Sequence, residues 1–218
     1  MSPRDEAENE RIREERREKI LQAAAKVFTR WGYASTRIAD IAAEAGVSHG
    51  LVYHYFQSKD QIFAALVELA MQVALQTTRG AAEQPGTPWD RIAGMVETMV
   101  MGARFGPEYY ALVQQAFASE AVPEPIRRAA WEQGRLCQEA IAKAITEGQA
   151  AGEVIPGDPM KLAALVYAFV QGLAMTHIAA VHSGQAVDMF DAEAVLRILK
   201  AGQGRAETRR KERNDDGP

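Results

Sequence analysis

Apolar residues in this chain recur at intervals of three and four. Nowhere do they show the strict alternation between turn residues that marks a half-buried strand. The pattern therefore predicts an all-α protein. A first helix is expected from about Arg11 to Trp31, where Ile20, Leu21, Ala24, Val27, Phe28 and Trp31 share helical spacing, with Gly32 as its stop. After Gly32-Tyr33-Ala34, Ser35 or Thr36 is placed to cap a short second helix whose Ile38, Ile41, Ala42 and Ala45 form one apolar face, and Gly46 ends it. Ser48 is placed to cap a third short helix through GLVYHYF, with Leu51 or Val52 and Phe56 turned inward. Two short helices separated by Ala-Gly-Val-Ser have helix-turn-helix spacing.

A fourth helix opens with a capping box, Ser58 with Gln61, and carries Ile62, Leu66, Leu69 and Val73 on one stripe beside Phe63, Val67 and Ala70. It runs to about Arg79, and the Gly- and Pro-dense stretch from Gly80 to Pro88 breaks it. Beyond the break the punctuation repeats. Thr87-Pro88 opens a helix to about Gly102, Pro107 one to Ser119, and Pro123 to Pro125 a long one to Gly152. Asp158-Pro159 opens another to about His182, and Asp188 is placed to cap a last one ending near Ala201. About nine helices result, in three parts: a head over 1–60, with 1–10 mobile; a body over 61–201, with 61–79 as the connecting helix; and a polar tail, 202–218, expected to be disordered.

The balance of 47% hydrophobic and 25% charged residues is that of a folded globular protein, so a sizeable core is expected. No uninterrupted apolar run of about 18 residues occurs, and the charged start, MSPRDEAENERIREERREK, lacks the apolar stretch of a signal peptide. A cytoplasmic protein without membrane association is expected. The lone Cys137 has no intramolecular partner and reads as a packed small hydrophobe.

The net charge of −4 argues at first against a nucleic-acid partner, but its distribution matters more. Residues 11–59 carry +4 and residues 83–201 carry −5, a mildly basic front on an acidic body. The opening RIREERREK fits both a reach toward phosphates and a solvated face with pairs such as Glu15 and Lys19; the solvated face is the commoner use.

The segment Gly32 to Phe63 is where the pattern becomes specific. It contains Gly32-Tyr33, Thr36, Ile41-Ala42, Ala45-Gly46-Val47-Ser48, Gly50, Tyr53, Tyr55-Phe56, Lys59 and Ile62-Phe63. In this density and spacing the chain resembles the TetR family of transcriptional regulators. The resemblance implies a three-helix DNA-binding head joined by the fourth helix to a C-terminal helical domain for ligand binding and dimerisation. A recognition helix places its N-terminal residues on base edges while neighbouring groups hold phosphates. The expected DNA-binding residues are Thr36, Arg37, Ser48, His49, Gly50, Tyr53, His54 and Lys59. The resemblance assigns Tyr53 and Lys59 to phosphates. His49 and His54 are the candidates for reading sequence, and Thr36 is to bind phosphate while capping its helix. Arg37 stands where the family often has a second small hydroxyl residue. Phe56 and much of Tyr55 are expected in the core.

In the body, Ala164, Ala168 and Gly172 form a four-residue stripe small enough for close helix approach. With Val195 and Leu199 of the last helix they are the expected dimer interface, while packing within the subunit is the alternative use of the same stripe. Met99, Phe105, Tyr109, Phe117, Trp131, Tyr167, Gln171 and Met175 are candidates to line a pocket for a small, mostly apolar ligand, though such residues equally build a helical core. His177 and His182 are five apart and off a common face, so no metal is expected. No phosphate loop or nucleophile elbow occurs, so neither an enzyme nor a cofactor is expected. The functional expectation is a homodimeric repressor released from a palindromic operator by its ligand. A ligand-dependent activator and a helical protein-interaction module are the alternatives.

Overall fold

The structure, a computed structural model, describes residues 3–185 and 191–202, with the side chains of 3–7 and 182 set aside. The expected cap at Asp188 and the tail beyond 202 lie outside the described residues. Nine helices occur among the described residues: α1 (Pro3–Ser35), α2 (Ile38–Ala45), α3 (His49–Tyr55), α4 (Lys59–Ala82), α5 (Pro88–Phe105), α6 (Pro107–Ala118), α7 (Glu124–Ala150), α8 (Pro159–His182) and α9 (Glu193–Leu199). The all-α expectation holds. Among the described residues the single β feature is an isolated bridge from Val154 to Lys200, which ties the end of α9 to the turn after α7.

Most boundaries follow local chemistry. Thr87 caps α5 by accepting from Asp90 N–H while Asp90 Oδ2 accepts from Thr87 N–H. Asp158 caps α8, accepting from Met160 N–H. At the start of α4, Ser58 Oγ accepts from Gln61 N–H at 3.2 Å, but the Gln61 side chain reaches one residue further back, to Gln57 N–H at 2.7 Å.

Three expectations about the ends change. First, α1 begins at Pro3, well before Arg11, and its added turns carry ion pairs from Arg11 to Glu8 and Glu15. Residues 3–10, within the segment expected to be mobile, are thus assigned to helix. Second, α1 is assigned through to Ser35, with a break at Gly32, whose φ of 75° and ψ of 165° suit only glycine. Third, neither Ser35 nor Thr36 caps α2. Arg37 occupies that position, its N–H donating to Asp40 Oδ2 at 2.9 Å.

Two apolar clusters form the interior. One joins Ile20, Phe28, Ile41, Val52, Phe56, Ile62 and Phe63 of the first four helices to Leu112, Val113 and Ala116 of α6 and Cys137 of α7. The other packs Ile92, Met95, Val100, Ile145, Val154, Val166, Val170, Val195 and Leu199. The first four helices therefore share a core with α6 and α7. Within α4, Ile62, Phe63, Leu66 and Val67 are buried as expected, whereas Leu69 and Val73 face solvent because the inner face drifts toward Met71 and Thr78.

Helix α8 is long and apolar enough to cross a membrane by length and composition, with a mean hydropathy of 1.6, yet it packs against α5, α6 and α7. Only a third of that stretch is buried in the subunit.

Candidate nucleic-acid interface

The head is organised around Tyr33, just past the break in α1. Its ring lies 5.0 Å from that of Phe63 and 6.1 Å from that of Phe28, and its hydroxyl donates to Asp60 Oδ1 at 2.7 Å. Burial and the facing carboxylate push its phenol pKa far above the ordinary tyrosine value. This anchors the start of α4 against the end of α1. Helix α2 then ends in a left-handed Gly46 (φ 63°), with Val47 N–H donating to Ala42 O at 3.0 Å; this hydrogen-bonded stop turns the chain sharply into α3.

Ser48 caps α3, its Oγ accepting from Leu51 N–H at 3.1 Å, while Val52 and Phe56 anchor the opposite face in the core. What remains outside is the set expected to meet DNA: Ser48, His49, Gly50, Tyr53 and His54 are all exposed. The Tyr53 ring stands edge-on to that of His49 at 4.9 Å, and His54 stands edge-on to Tyr55 at 5.2 Å. A Cβ at Gly50 would meet nothing within 4 Å, so the subunit's own packing does not demand glycine there. Arg37 is exposed at the start of α2.

Two expected phosphate ligands are engaged elsewhere. Thr36 is 1% exposed, and its hydroxyl donates to Gly32 O at 2.8 Å. That bond closes the turn after the break and leaves Thr36 neither a cap nor an open phosphate contact. Lys59 Nζ donates to the carbonyls of Tyr33 (2.9 Å), Ala34 (3.2 Å) and Thr36 (3.2 Å), and lies 4.6 Å from the Tyr33 ring. All three ammonium protons are thereby directed at backbone, so Lys59 braces the α1–α2 turn. Sequence reasoning singled out both residues but not these intramolecular partners, and it did not pair Tyr33 with Asp60. It also missed Gln115, whose Oε1 accepts from Tyr33 N–H at 2.8 Å and whose Nε2 donates to Phe28 O at 3.1 Å.

The body residues divide. Phe105 is 75% exposed and Trp131 60%, the latter tilted against Phe117 at 4.7 Å, so neither Phe105 nor Trp131 lines an interior pocket. Tyr109 packs against the head-side cluster, and Met99 and Met175 against the body cluster. Tyr167, Gln171 and Met175 follow one face of α8 at four-residue spacing. Gln171 is 9% exposed; its Nε2 donates to Tyr110 O at 3.1 Å, and its Oε1 meets no hydrogen-bond partner.

Burial pushes the Tyr110 phenol up to about 12 and the Cys137 thiol up to about 11, the latter opposed by nearby Arg79. It also raises the Tyr167 phenol, helped by Tyr110 and Cys137. Two open grooves lie elsewhere. One of about 380 Å³ runs between α4 and α7 beside Arg79, Lys143 and Glu147; one of about 270 Å³ runs between α4 and α5. Among the described residues no three His, Cys, Asp or Glu side chains gather as a metal site would require.

Of the expected dimer residues, Ala164, Ala168 and Gly172 form an exposed stripe on α8 beside Leu165, which is 42% exposed. Val195 and Leu199 are 1% and 0% exposed, buried against the subunit's own α7–α8 core, so they present no surface to a partner; Ile198 is the large apolar residue of α9 that is exposed.

Comparison with known proteins adds two profile matches. The profile of bacterial regulatory proteins of the tetR family matches residues 20–66, and that of the C-terminal domain of BetI-type transcriptional repressors matches residues 88–202. An uncharacterized HTH-type transcriptional regulator of Bacillus subtilis, YfiR, is 29% identical over 73% of this chain and 77% of its own length. The HTH-type transcriptional regulator BetI of Brucella canis is 32% identical over 44% of this chain, a match spanning about half (48%) of that relative. Among solved structures, the MbdR regulator of Azoarcus sp. CIB superposes with a TM-score of 0.75 at 22% identity, covering 84% of this chain and 96% of that one. AibR, solved with isovaleryl coenzyme A and operator DNA, superposes with a TM-score of 0.62 at 17% identity over 75% and 96% of the two chains.

Proposed function

We propose, from the premise that this chain belongs to the TetR family of transcriptional regulators, that it is a homodimeric repressor released from a palindromic operator by a small, mostly apolar effector. The observation that carries the reading is the outer face of α3. Its polar N-terminal residues and Tyr53 are presented together and left uncovered, while Phe28, Tyr33, Phe56 and Phe63 pack inside the head. In a symmetric pair, two such helices spaced about 34 Å apart enter successive major grooves. Ser48, Arg37 and Tyr53 hold phosphates, and His49 and His54 read bases. Residues 1–60 supply this contact and residues 61–201 the effector site and the pairing surface.

Pairing is supported by the stripe of Ala164, Ala168 and Gly172 with Leu165 on α8, an apolar face too narrow in relief to need large partners and too long to leave in water. Effector binding is supported by Gln171 Oε1, a buried acceptor whose desolvation is uncompensated within the subunit. An effector that offers an N–H or O–H to this oxygen and apolar surface to Met99, Tyr167 and Met175 fits that environment. Such a ligand lowers DNA affinity only by preferring the body's non-binding arrangement.

Fluorescence polarisation of the full-length protein against its own upstream DNA tests the reading. Binding to a preferred duplex at moderate salt is expected, weakened at least about tenfold in Tyr53→Ala, the loss of one or two phosphate-side contacts at about 1.4 kcal/mol per tenfold. Indifference to sequence would sink it. Deleting the gene beside a promoter reporter separates the roles: expression rises for a repressor and falls for an activator.

A further inference from the structure

Gly32 takes a non-helical conformation that breaks α1, and a side chain from the body reaches the backbone on both sides of the break. Gln115, in the last turn of α6, accepts from Tyr33 N–H at 2.8 Å and donates to Phe28 O at 3.1 Å, so one primary amide serves a donor and an acceptor on opposite sides of the break. A Cβ at position 32 would lie 3.9 Å from Gln115 Oε1, which shows how closely the amide approaches the turn. Leu112, Val113 and Ala116 seat the same helix in the head-side cluster.

Earlier along α6, Tyr110 O accepts from Gln171 Nε2 of α8, and Tyr110 Oη donates to Met99 O of α5 at 2.9 Å. Positions 110 and 115 are about 7.5 Å apart along one helix, too short a span to bend appreciably. Thus α6 is held by the body at one end and holds the head at the other. Beyond Gln115 the contacts continue: Lys59 Nζ clasps the carbonyls of Tyr33, Ala34 and Thr36, the turn from which α2 and α3 depart.

We propose that Gln115 is the positioning residue through which α6 sets the pose of the DNA-binding head on the body, and so the spacing of the two recognition helices. The inference rests on the dimeric DNA-binding reading above. A shift of α6 that breaks the two amide bonds frees the Gly32 turn to rotate, while the apolar packing of α1 on α6 keeps the subunit folded.

The test uses full-length Gln115→Met, which keeps the length and loses both bonds, and Gln115→Glu, which keeps the acceptor for Tyr33 N–H. Two measurements are made. The first is amide hydrogen exchange of residues 29–36, with residues 137–148 of α7 as internal reference. The second is affinity for the selected palindromic duplex and for versions with one base pair added or removed at its centre. For Gln115→Met, exchange over 29–36 should quicken at least tenfold with α7 unchanged, and the wild-type preference for correct spacing should shrink at least fivefold. Gln115→Glu should fall between. A loss of protection shared by α7, with equal weakening on every duplex, would mark a general destabilisation and overturn the inference. Wild-type indifference to spacing overturns the dimer reading and this inference with it; wild-type discrimination that Gln115→Met retains in full overturns this inference alone.

Discussion

Replacing Lys59 by Met separates two roles for one cation. The ammonium makes three charge-assisted bonds, at 2.9, 3.2 and 3.2 Å, to carbonyls of the α1–α2 turn. Hydrogen bonds to charged groups contribute about 1.5–3 kcal/mol each when well shielded, but Lys59 is only half-buried and water reaches part of the set. A loss of about 2–3 kcal/mol for all three together is the consistent magnitude. Methionine retains most of the apolar stem, so packing changes little. For a chain of this length a kcal/mol corresponds to roughly 2–4 °C, and the melting temperature of Lys59→Met should fall by about 4–12 °C at fixed protomer concentration. The companion assay is polarisation against DNA over a range of salt concentrations. A brace leaves the slope of log affinity against log salt unchanged. A phosphate ligand leaves the melting temperature unchanged and lowers the slope by about 0.9 per subunit. Wild-type melting together with a reduced slope would refute the brace and restore the phosphate contact expected from the sequence.

Two further expectations follow from the body. A Cβ at Gly148 would stand 2.5 Å from Val154 Cγ2 and 3.0 Å from Ile92 Cδ1, both buried. Gly148→Ala should therefore destabilise by about 1–2 kcal/mol despite the helix propensity of about 1 kcal/mol that alanine adds. The double variant with Val154→Ala should recover part of the loss in a denaturation cycle; a more stable Gly148→Ala would refute the packing argument. Separately, burial raises the Cys137 thiol from 9.0 to about 11, and the Tyr110 phenol to about 12. Both groups are held neutral in the fold and ionise first when unfolded. Stability should thus decline as pH rises from about 9 to 11, and a melting temperature that climbs over that range would contradict it. At pH 8 a thiol reagent should label the native protein at least about 100-fold more slowly than the unfolded chain, as expected from the thiolate fraction.

Periodicity and punctuation alone determined the all-α class, the helix-turn-helix and most helix ends, because apolar spacing, Ser48, Thr87 and Asp158 as caps, the break at Gly32 and the stop at Gly46 act within a few residues. The outer face of α3 was legible for the same reason: once Val52 and Phe56 point inward, His49, Tyr53 and His54 must point out. Only tertiary structure decided which element covers each apolar face. It buried Val195 and Leu199 within the subunit, left Leu69, Val73, Phe105 and Trp131 outside, and sealed Thr36 beneath the Gly32 turn. It also gave the Lys59 ammonium to three backbone carbonyls and brought Gln115 to Tyr33 across 82 positions of sequence. Helical spacing reports that a face avoids water but carries no record of its partner, and a hydrogen bond between distant residues leaves no periodic trace in the chain.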